Sequence, residues 1–190
     1  MSGLLGFVQV TKRFGDQTVL KDFSLSLPFG RVSCLMGPTG YGKTTLLRLL
    51  MGLESPDEGR VESLRPVSAV FQEDRLLENL SAMGNLRLVS GHGQEERLLS
   101  LLVELGLGDE GGKPVRDFSG GMKRRVAIAR ALLAESELLL LDEPFKGLDE
   151  AAREGTARVI LRHAGNKTVV LVTHDAAEAA LLNAEVFKVG

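Results

Sequence analysis

The sequence predicts an α/β domain whose core is a mostly parallel β-sheet. Residues 32–36 form a short apolar run, and the four leucines at residues 138–141 do not alternate with polar residues, which is typical of a strand covered on both faces. Residues 167–172 form another apolar run that is rich in β-branched side chains. Residues 45–51 carry an apolar helical pattern that follows the first of these runs after a short loop. Strands followed by helices favour this fold class.

The composition is ordinary for a soluble globular protein. The chain has 190 residues, 44% hydrophobic and 25% charged, which is enough for one sizeable domain with a single core. Its formal net charge of −2 does not indicate general binding to nucleic acid or to a membrane surface. The single cysteine, Cys34, is expected to be a buried core residue in a reducing compartment. Neither a signal peptide nor an apolar run of roughly 18 residues is apparent, so no membrane span is expected.

The first part of the chain predicts an antiparallel β-subdomain made of short strands. Within residues 7–27 apolar and polar side chains alternate, and Gly15-Asp16 is a typical turn. Phe14 precedes that turn. Taken alone, Phe14 is expected to belong to the core, and the alternative is an aromatic platform on which a nucleobase stacks.

Residues 37–44 carry the strongest local signal, the pattern G-x-x-x-x-G-K-[ST] between a predicted strand and a predicted helix. Glycines allow the tight turn that directs successive main-chain N–H groups at phosphate oxygens, and the helix N-terminus adds positive partial charge. Lys43 is expected to reach the β- and γ-phosphates of a nucleotide, and Thr44 to hold Mg²⁺. The predicted nucleotide contacts in this stretch are Gly37, Pro38, Thr39, Gly40, Tyr41, Gly42, Lys43, Thr44 and Thr45.

Residues from about 78 to 117 are predicted to form a small helical insertion. Apolar residues recur at helical spacing from residue 80 to 107, and residues 90–93 divide this stretch into two helices. Just before the insertion, Gln72 ends a predicted strand, where open α/β sheets place ligand contacts. The predicted apolar face of the second helix comprises Leu98, Leu99, Leu101, Leu102 and Leu105.

A second glycine-containing helix start lies at residues 118–122. Ser119 is a typical N-cap, and the two glycines after it leave main-chain N–H groups available to an anion. A second anion site is therefore expected in a chain that already has one phosphate loop. Cations follow on the same helix at Lys123, Arg124, Arg125 and Arg130.

Two acidic residues end the buried strand at residues 138–141. Asp142 is expected to approach the Mg²⁺ of a bound nucleotide. Glu143 is expected to accept a proton from an attacking water or to orient that water. The alternative is an acidic strand end followed by a turn.

Polar residues also mark the starts of two later helices. Asp149 is a predicted N-cap, and Asp175 with Glu178 forms a predicted capping box. His174 follows a predicted parallel strand and is expected beside the same crevice, where it could bond a γ-phosphate. A structural histidine is the alternative.

The chain resembles the ATP-binding subunit of an ABC (ATP-binding cassette) transporter. The resemblance rests on five features in this order: the phosphate loop, Gln72, the Ser-Gly-Gly helix start, the run ending in Asp142-Glu143, and His174. The resemblance covers about residues 7–189. It implies a P-loop NTPase fold of the RecA-like type, an N-terminal antiparallel β-subdomain and a small α-helical subdomain, in a single ABC ATPase domain over residues 1–190. It also implies an ATPase that uses ATP and Mg²⁺ and powers a membrane transporter.

The resemblance implies a role for each matching position. Phe14 stacks on adenine, Asp142 is the Walker B carboxylate, Glu143 is the catalytic base, and His174 is the switch histidine. The implied metal ligands are Thr44, Gln72 and Asp142. The implied catalytic residues are Lys43, Gln72, Glu143 and His174. The implied nucleotide contacts outside the phosphate loop are Phe14, the signature residues Ser119, Gly120, Gly121 and Met122, and Asp149 of the D-loop.

The resemblance further implies a set of partners. Two copies face each other head to tail, and the signature of one caps the ATP of the other. Integral-membrane permease subunits bind this dimer, an extracytoplasmic solute-binding protein acts indirectly, and no nucleic acid is expected. The expected location is cytoplasmic, peripheral on the inner face of the cell membrane. Residues 52–56 and 71–77 look like those of importers of the nitrate, sulfonate and taurine type, and they do not identify the solute.

Some positions depart from the family pattern. Met122 replaces the usual glutamine of the signature, and Tyr41, whose ring is expected to point outward, stands where a small residue is common. The β-subdomain is expected to be trimmed. A soluble ABC ATPase without a membrane partner is the alternative function. A GTP-binding switch is disfavoured, because Val169 cannot accept the guanine hydrogen bonds that an N-K-x-D motif requires.

Overall fold

The structure is a computed structural model that describes residues 5–38, 40–91 and 93–189. The chain divides into two compact units. The first contains Met1–Val67, Ser136–Asp142 and Asn166–Gly190, and the second contains Ser68–Glu135 and Glu143–Gly165. The predicted helical insertion falls within the first segment of the second unit.

The secondary structure follows the predicted α/β pattern. The strands are β1 (Leu5–Phe14), β2 (Gln17–Leu27), β3 (Val32–Met36), β4 (Glu58–Glu62), β5 (Val67–Val70), β6 (Leu138–Asp142), β7 (Thr168–Thr173) and β8 (Glu185–Lys188). The α-helices are α1 (Lys43–Met51), α2 (Ala82–Ser90), α3 (Glu95–Glu104), α4 (Gly120–Leu133), α5 (Glu150–Ala164) and α6 (Ala176–Leu181).

The first unit has an antiparallel sheet of order β2-β1-β4. β1 and β2 form one hairpin around the predicted Gly15-Asp16 turn, and each is longer than the short strands that the sequence predicts. Phe7 and Phe23 pack edge to face across the hairpin, with ring centroids 5.5 Å apart. Such a pair stabilises the hairpin beyond the apolar area that it buries.

The strands of the parallel sheet have their carboxyl ends at the same edge. In the first unit its strand order is β6-β7-β3-β8, with Met36 opposite Thr173 and Asp142 opposite Val172. β6 and β7 are buried along their whole length, which confirms the prediction of strands covered on both faces. Gly37, Asp142 and His174 therefore lie at the carboxyl edge of this sheet.

The second unit contains the predicted pair of helices α2 and α3. Leu98, Leu101 and Leu102 are fully buried or nearly so, but Leu99 is 45% exposed. The prediction that Leu99 belongs to the buried face was wrong, because one helical step of about 100° carries it past the apolar stripe. Asn85 of α2 is buried and holds the chain before the helix, since its side chain bonds both main-chain groups of Leu77.

The predicted helix caps are present at α4 and α5. The Ser119 hydroxyl accepts a hydrogen bond from the Met122 N–H at 3.3 Å, and the Asp149 carboxylate accepts one from the Ala152 N–H at 2.8 Å. Side-chain caps of this kind satisfy N–H groups that have no partner within the helix.

The predicted capping box at α6 is not formed as expected. Asp175 caps the helix by accepting from the Ala177 N–H, but Glu178 is buried and accepts from the Thr173 hydroxyl. The physical reason is that the buried Thr173 hydroxyl needs a partner, and Glu178 supplies it from the inner face of the helix.

Cys34 lies in β3 and is fully buried. Burial, together with the nearby Glu178 charge, raises the pKa of its thiol to about 11, so the thiol stays neutral at ordinary pH. The expected role as a core residue is confirmed. None of the helices formed by the described residues is both long and apolar enough to span a membrane.

Candidate functional site

The glycine-rich loop between β3 and α1 has several positions that only glycine can occupy without strain. Gly40 and Gly42 have φ angles of 89° and 76°, in the left-handed region that favours glycine. A Cβ at Gly37 would lie 2.0 Å from the carbonyl oxygen of Val189, so no side chain fits there. α1 begins directly after Gly42 at Lys43. Thr39, a predicted contact residue, lies outside the described residues.

Lys43 places its ammonium group inside this loop. Its Nζ donates to the carbonyl oxygens of Gly37 and Pro38, both at 2.7 Å, and the residue is 8% exposed. Within the described part of the chain, Lys43 forms no ion pair with a carboxylate. A nearly buried cation whose hydrogen bonds go only to main-chain carbonyls is well suited to an anionic ligand.

Thr44 and Asp142 meet at the end of the parallel sheet. The Thr44 hydroxyl donates to Oδ2 of Asp142 at 3.2 Å, and Asp142 is 5% exposed. Hydroxyl and carboxylate oxygens are the ligands that Mg²⁺ prefers, so the predicted metal ligands Thr44 and Asp142 form a suitable pair.

Two of the predicted nucleotide contacts are aromatic, and both are exposed. Phe14 is 42% exposed and lies with the Lys12 ammonium 5.0 Å from its ring centroid. The expectation that Phe14 belongs to the core was wrong, because the last residues of β1 extend into the solvent-exposed end of the hairpin. Tyr41 is 52% exposed, as expected for a ring that points outward.

The other predicted catalytic residues differ in their surroundings. Glu143 is half-buried and has a φ of 46°, a left-handed conformation that costs energy for a residue with a side chain. Sequence patterns give no signal for this strained turn. His174 is exposed directly after β7.

The second unit contains a cavity of about 450 Å³ at the start of α4. The N-terminal residues of α4, the loop before α5 and the start of the segment after β5 form its walls. A Cβ at Gly121 would lie 3.0 Å from the Gly147 carbonyl oxygen, so these two segments approach closely. The predicted site residues that line this cavity are Gln72, Ser119, Gly120, Gly121 and Asp149.

Comparison with known proteins identifies the family. A family model described as ABC transporter matches residues 20–146. An aliphatic sulfonates import ATP-binding protein, SsuB 1 of Rhodococcus jostii (strain RHA1), is 42% identical over 187 residues, which is 94% of this chain and 76% of that protein.

This chain belongs to the ABC transporter family. A spermidine/putrescine import ATP-binding protein, PotA of Pseudomonas aeruginosa (strain UCBPP-PA14), is 39% identical and is matched over 95% of this chain and 55% of its own length. The dimeric structure of MJ0796, a bacterial ABC transporter cassette, superposes with a TM-score of 0.83 at 29% identity, over 97% of this chain and 93% of that one. The predicted family, the P-loop NTPase fold class and the ATP-binding function of an import ATPase are confirmed.

Within this ABC cassette, two of the arginines noted on α4 donate to main-chain carbonyl groups and also line the cavity at the start of the helix. Arg124 is 4% exposed, and Arg125 donates to the carbonyl oxygen of Leu105. The burial of Arg124 was not predicted. A helical signal was available, because Arg124, Ile128 and Ala131 follow the spacing i, i+4, i+7 and share one buried face.

Proposed function

We propose that this chain is the ATP-hydrolysing subunit that powers a membrane importer of a small solute. The observation that carries the proposal is the loop geometry, in which Lys43 bonds the carbonyl groups of Gly37 and Pro38 at a helix N-terminus. On binding ATP, Lys43 would exchange these carbonyls for phosphate oxygens, which form stronger charge-assisted hydrogen bonds.

The first unit would hold the nucleotide. The loop's N–H groups and the positive end of α1 would bind the phosphates, and the exposed ring of Phe14 would stack on the base. The proposed ligands of Mg²⁺ are Thr44, Asp142 and Gln72. When bound, Mg²⁺ neutralises charge on the phosphate oxygens.

Glu143 is the proposed base for hydrolysis. It would accept a proton from water as the water oxygen bonds to the γ-phosphorus and the bond between that phosphorus and the β–γ bridging oxygen breaks. ADP and inorganic phosphate would be the products. His174 would donate a hydrogen bond to a γ-phosphate oxygen.

The start of α4 would act on the nucleotide of a second copy. Ser119, Gly120 and Gly121 are accessible in the second unit's cavity and offer main-chain N–H groups. The similarity to a dimeric cassette supports a head-to-tail homodimer in which these residues and Asp149 face the partner's ATP. ATP would favour the closed dimer, and ADP would not.

The importer assignment follows the relatives. SsuB 1 and PotA, described above, are import ATP-binding proteins for aliphatic sulfonates and for spermidine/putrescine, and this favours a transport ATPase over one without a membrane partner. We propose that permease subunits hold this chain at the inner face of the membrane and that a solute-binding protein delivers the cargo. The transported solute is set by those partners.

The test is the mass in solution of the Glu143→Gln variant, with and without ATP and Mg²⁺. Loss of the base should leave binding intact and trap the closed state, so the mass should double on addition of ATP. A monomer that binds ATP but never dimerises would contradict the homodimer. Hydrolysis at the parent rate would contradict the role of Glu143.

A further inference from the structure

The segment after β5, residues 71–77, has neither helix nor strand, and is named the glutamine loop here because it contains Gln72. Arg124 of α4 donates from its two terminal nitrogens to the carbonyl oxygens of Phe71 and Gln72, at 2.5 and 2.6 Å. The planar guanidinium therefore bridges two successive peptide groups, a geometry that lysine cannot reproduce. The contact fixes the main chain of Gln72 while its side chain stays exposed.

Arg124 is built into the unit rather than placed on its surface. The residue is 4% exposed, and its third nitrogen lies 3.2 Å from a carboxylate oxygen of Asp74 in the same loop. Burial raises the pKa of Asp74, and the charges of Arg124, Lys123 and Arg130 oppose that rise. A buried cation is tolerated only when it is paired and hydrogen-bonded, and Arg124 meets both conditions with partners from one loop.

A second arginine of α4 holds the middle of the glutamine loop. Arg130 donates to the carbonyl oxygens of Asp74 and Arg75, at 3.2 and 2.9 Å. The Arg75 guanidinium in turn lies 3.8 Å from the ring centroid of Phe71. The loop is thus attached to one helix at four of its carbonyl groups.

We infer that Arg124 is a positioning residue that ties the main chain of Gln72 to the helix that begins after Ser119. Arg124 lies about one and a half turns from Ser119, so displacement of the helix start carries the Gln72 peptide group with it. The effect on hydrolysis rests on the role proposed above for Gln72. The tether itself is a property of the second unit and can be tested without that role.

The first test is cleavage of the full chain by a glutamate-specific protease, whose sites arginine substitutions do not change. Arg124→Lys keeps the charge but loses the two-carbonyl bridge, so cleavage after exposed Glu73 should become at least tenfold faster. Cleavage after Glu96, in α3 of the same unit, should stay within twofold. The matched control is Arg158→Lys, which changes an exposed pair with Glu154 in α5 of the same unit and should change neither rate beyond twofold.

The second test is a double-mutant cycle on steady-state hydrolysis of ATP with Mg²⁺. Arg124→Lys should lower kcat about tenfold with KM within twofold, because the loop that holds the nucleotide is in the first unit. If Arg124 acts through Gln72, the double variant with Gln72→Ala should be no slower than Gln72→Ala alone.

The outcomes separate the two proposals. Unchanged cleavage after Glu73, or equal acceleration at Glu73 and Glu96, would overturn the tether. Faster cleavage at Glu73 with additive losses of kcat would overturn the action through Gln72. A Gln72→Ala variant that hydrolyses ATP normally would remove the role proposed for Gln72, and the cleavage rates would still decide the tether.

Discussion

The helices α1 and α4 both begin next to glycines, but their N-termini have different surroundings. α1 follows a closed loop in which Lys43 is nearly buried and a Cβ at Gly37 would collide with the Val189 carbonyl. α4 begins at exposed Ser119 and Gly120, and a Cβ at Gly120 would meet nothing within 4 Å. At the first N-terminus, the surrounding groups belong to the same unit and leave little room, whereas the second offers N–H groups outward. A glycine-rich helix start therefore fits a ligand only together with the groups that surround it.

The largest expected effects are a loss of ATP binding at the start of α1 and a loss of ATP hydrolysis at the start of α4. Lys43→Ala should weaken ATP binding by about 100-fold, because the phosphates lose a charge-assisted partner. Ser119→Arg should leave ATP binding within twofold and abolish hydrolysis, because the long side chain fills the cavity at the start of α4. Binding of a fluorescent ATP analogue and release of phosphate measure the two effects.

The controls for this pair are exposed positions in the same units. Lys21→Ala on β2 and Ser100→Arg on α3 should change neither binding nor hydrolysis beyond twofold. Normal turnover by Ser119→Arg would show that the two helix starts do not have the different partners described above.

A smaller effect is expected on the free energy of unfolding when Gly37 and Gly120 are each replaced by alanine. Gly37→Ala should lower the free energy of unfolding by about 2 kcal/mol or more, because the new methyl group overlaps a main-chain oxygen. Gly120→Ala should be neutral or stabilise by up to about 1 kcal/mol, because the helical site has room for a methyl group. Urea unfolding measures both. Equal costs would contradict the distinction between a closed and an open helix start.

The smallest effect lies away from both helix starts, at the contact between α3 and α5. Burial tends to raise the pKa of Glu104, but hydrogen bonds and charge from His163 and Arg162 outweigh it and lower the pKa below the ordinary value of 4.5. The stabilisation is therefore present above pH 4.5 and is lost as pH falls through the lowered pKa. Glu104→Gln should cost up to about 1 kcal/mol at pH 6 and progressively less towards pH 3.

Urea unfolding across this pH range checks the last prediction. Glu154→Gln, which removes an exposed pair with Arg158, is the matched control and should cost less at every pH. A cost of Glu104→Gln that grows as pH falls would reverse the sign and contradict the lowered pKa.

The local features of this ABC cassette were predictable because they depend on neighbours in sequence. The phosphate loop needs glycines and a lysine within eight residues, and the caps at Ser119 and Asp149 need only the following turn. Uninterrupted apolar runs likewise predicted the buried strands β6 and β7. Each of these signals is a property of a single segment, so the sequence determined the fold class and most of the candidate site residues.

Packing between distant segments sets which faces are buried and which residues far apart in sequence meet. Leu99 and Phe14 are apolar and yet exposed, whereas Arg124 is charged and yet buried, because carbonyl groups more than 50 residues away satisfy its guanidinium. Glu178 accepts a hydrogen bond from the buried Thr173 hydroxyl instead of completing the predicted capping box. Such pairings depend on packing between segments, and local propensity does not encode them.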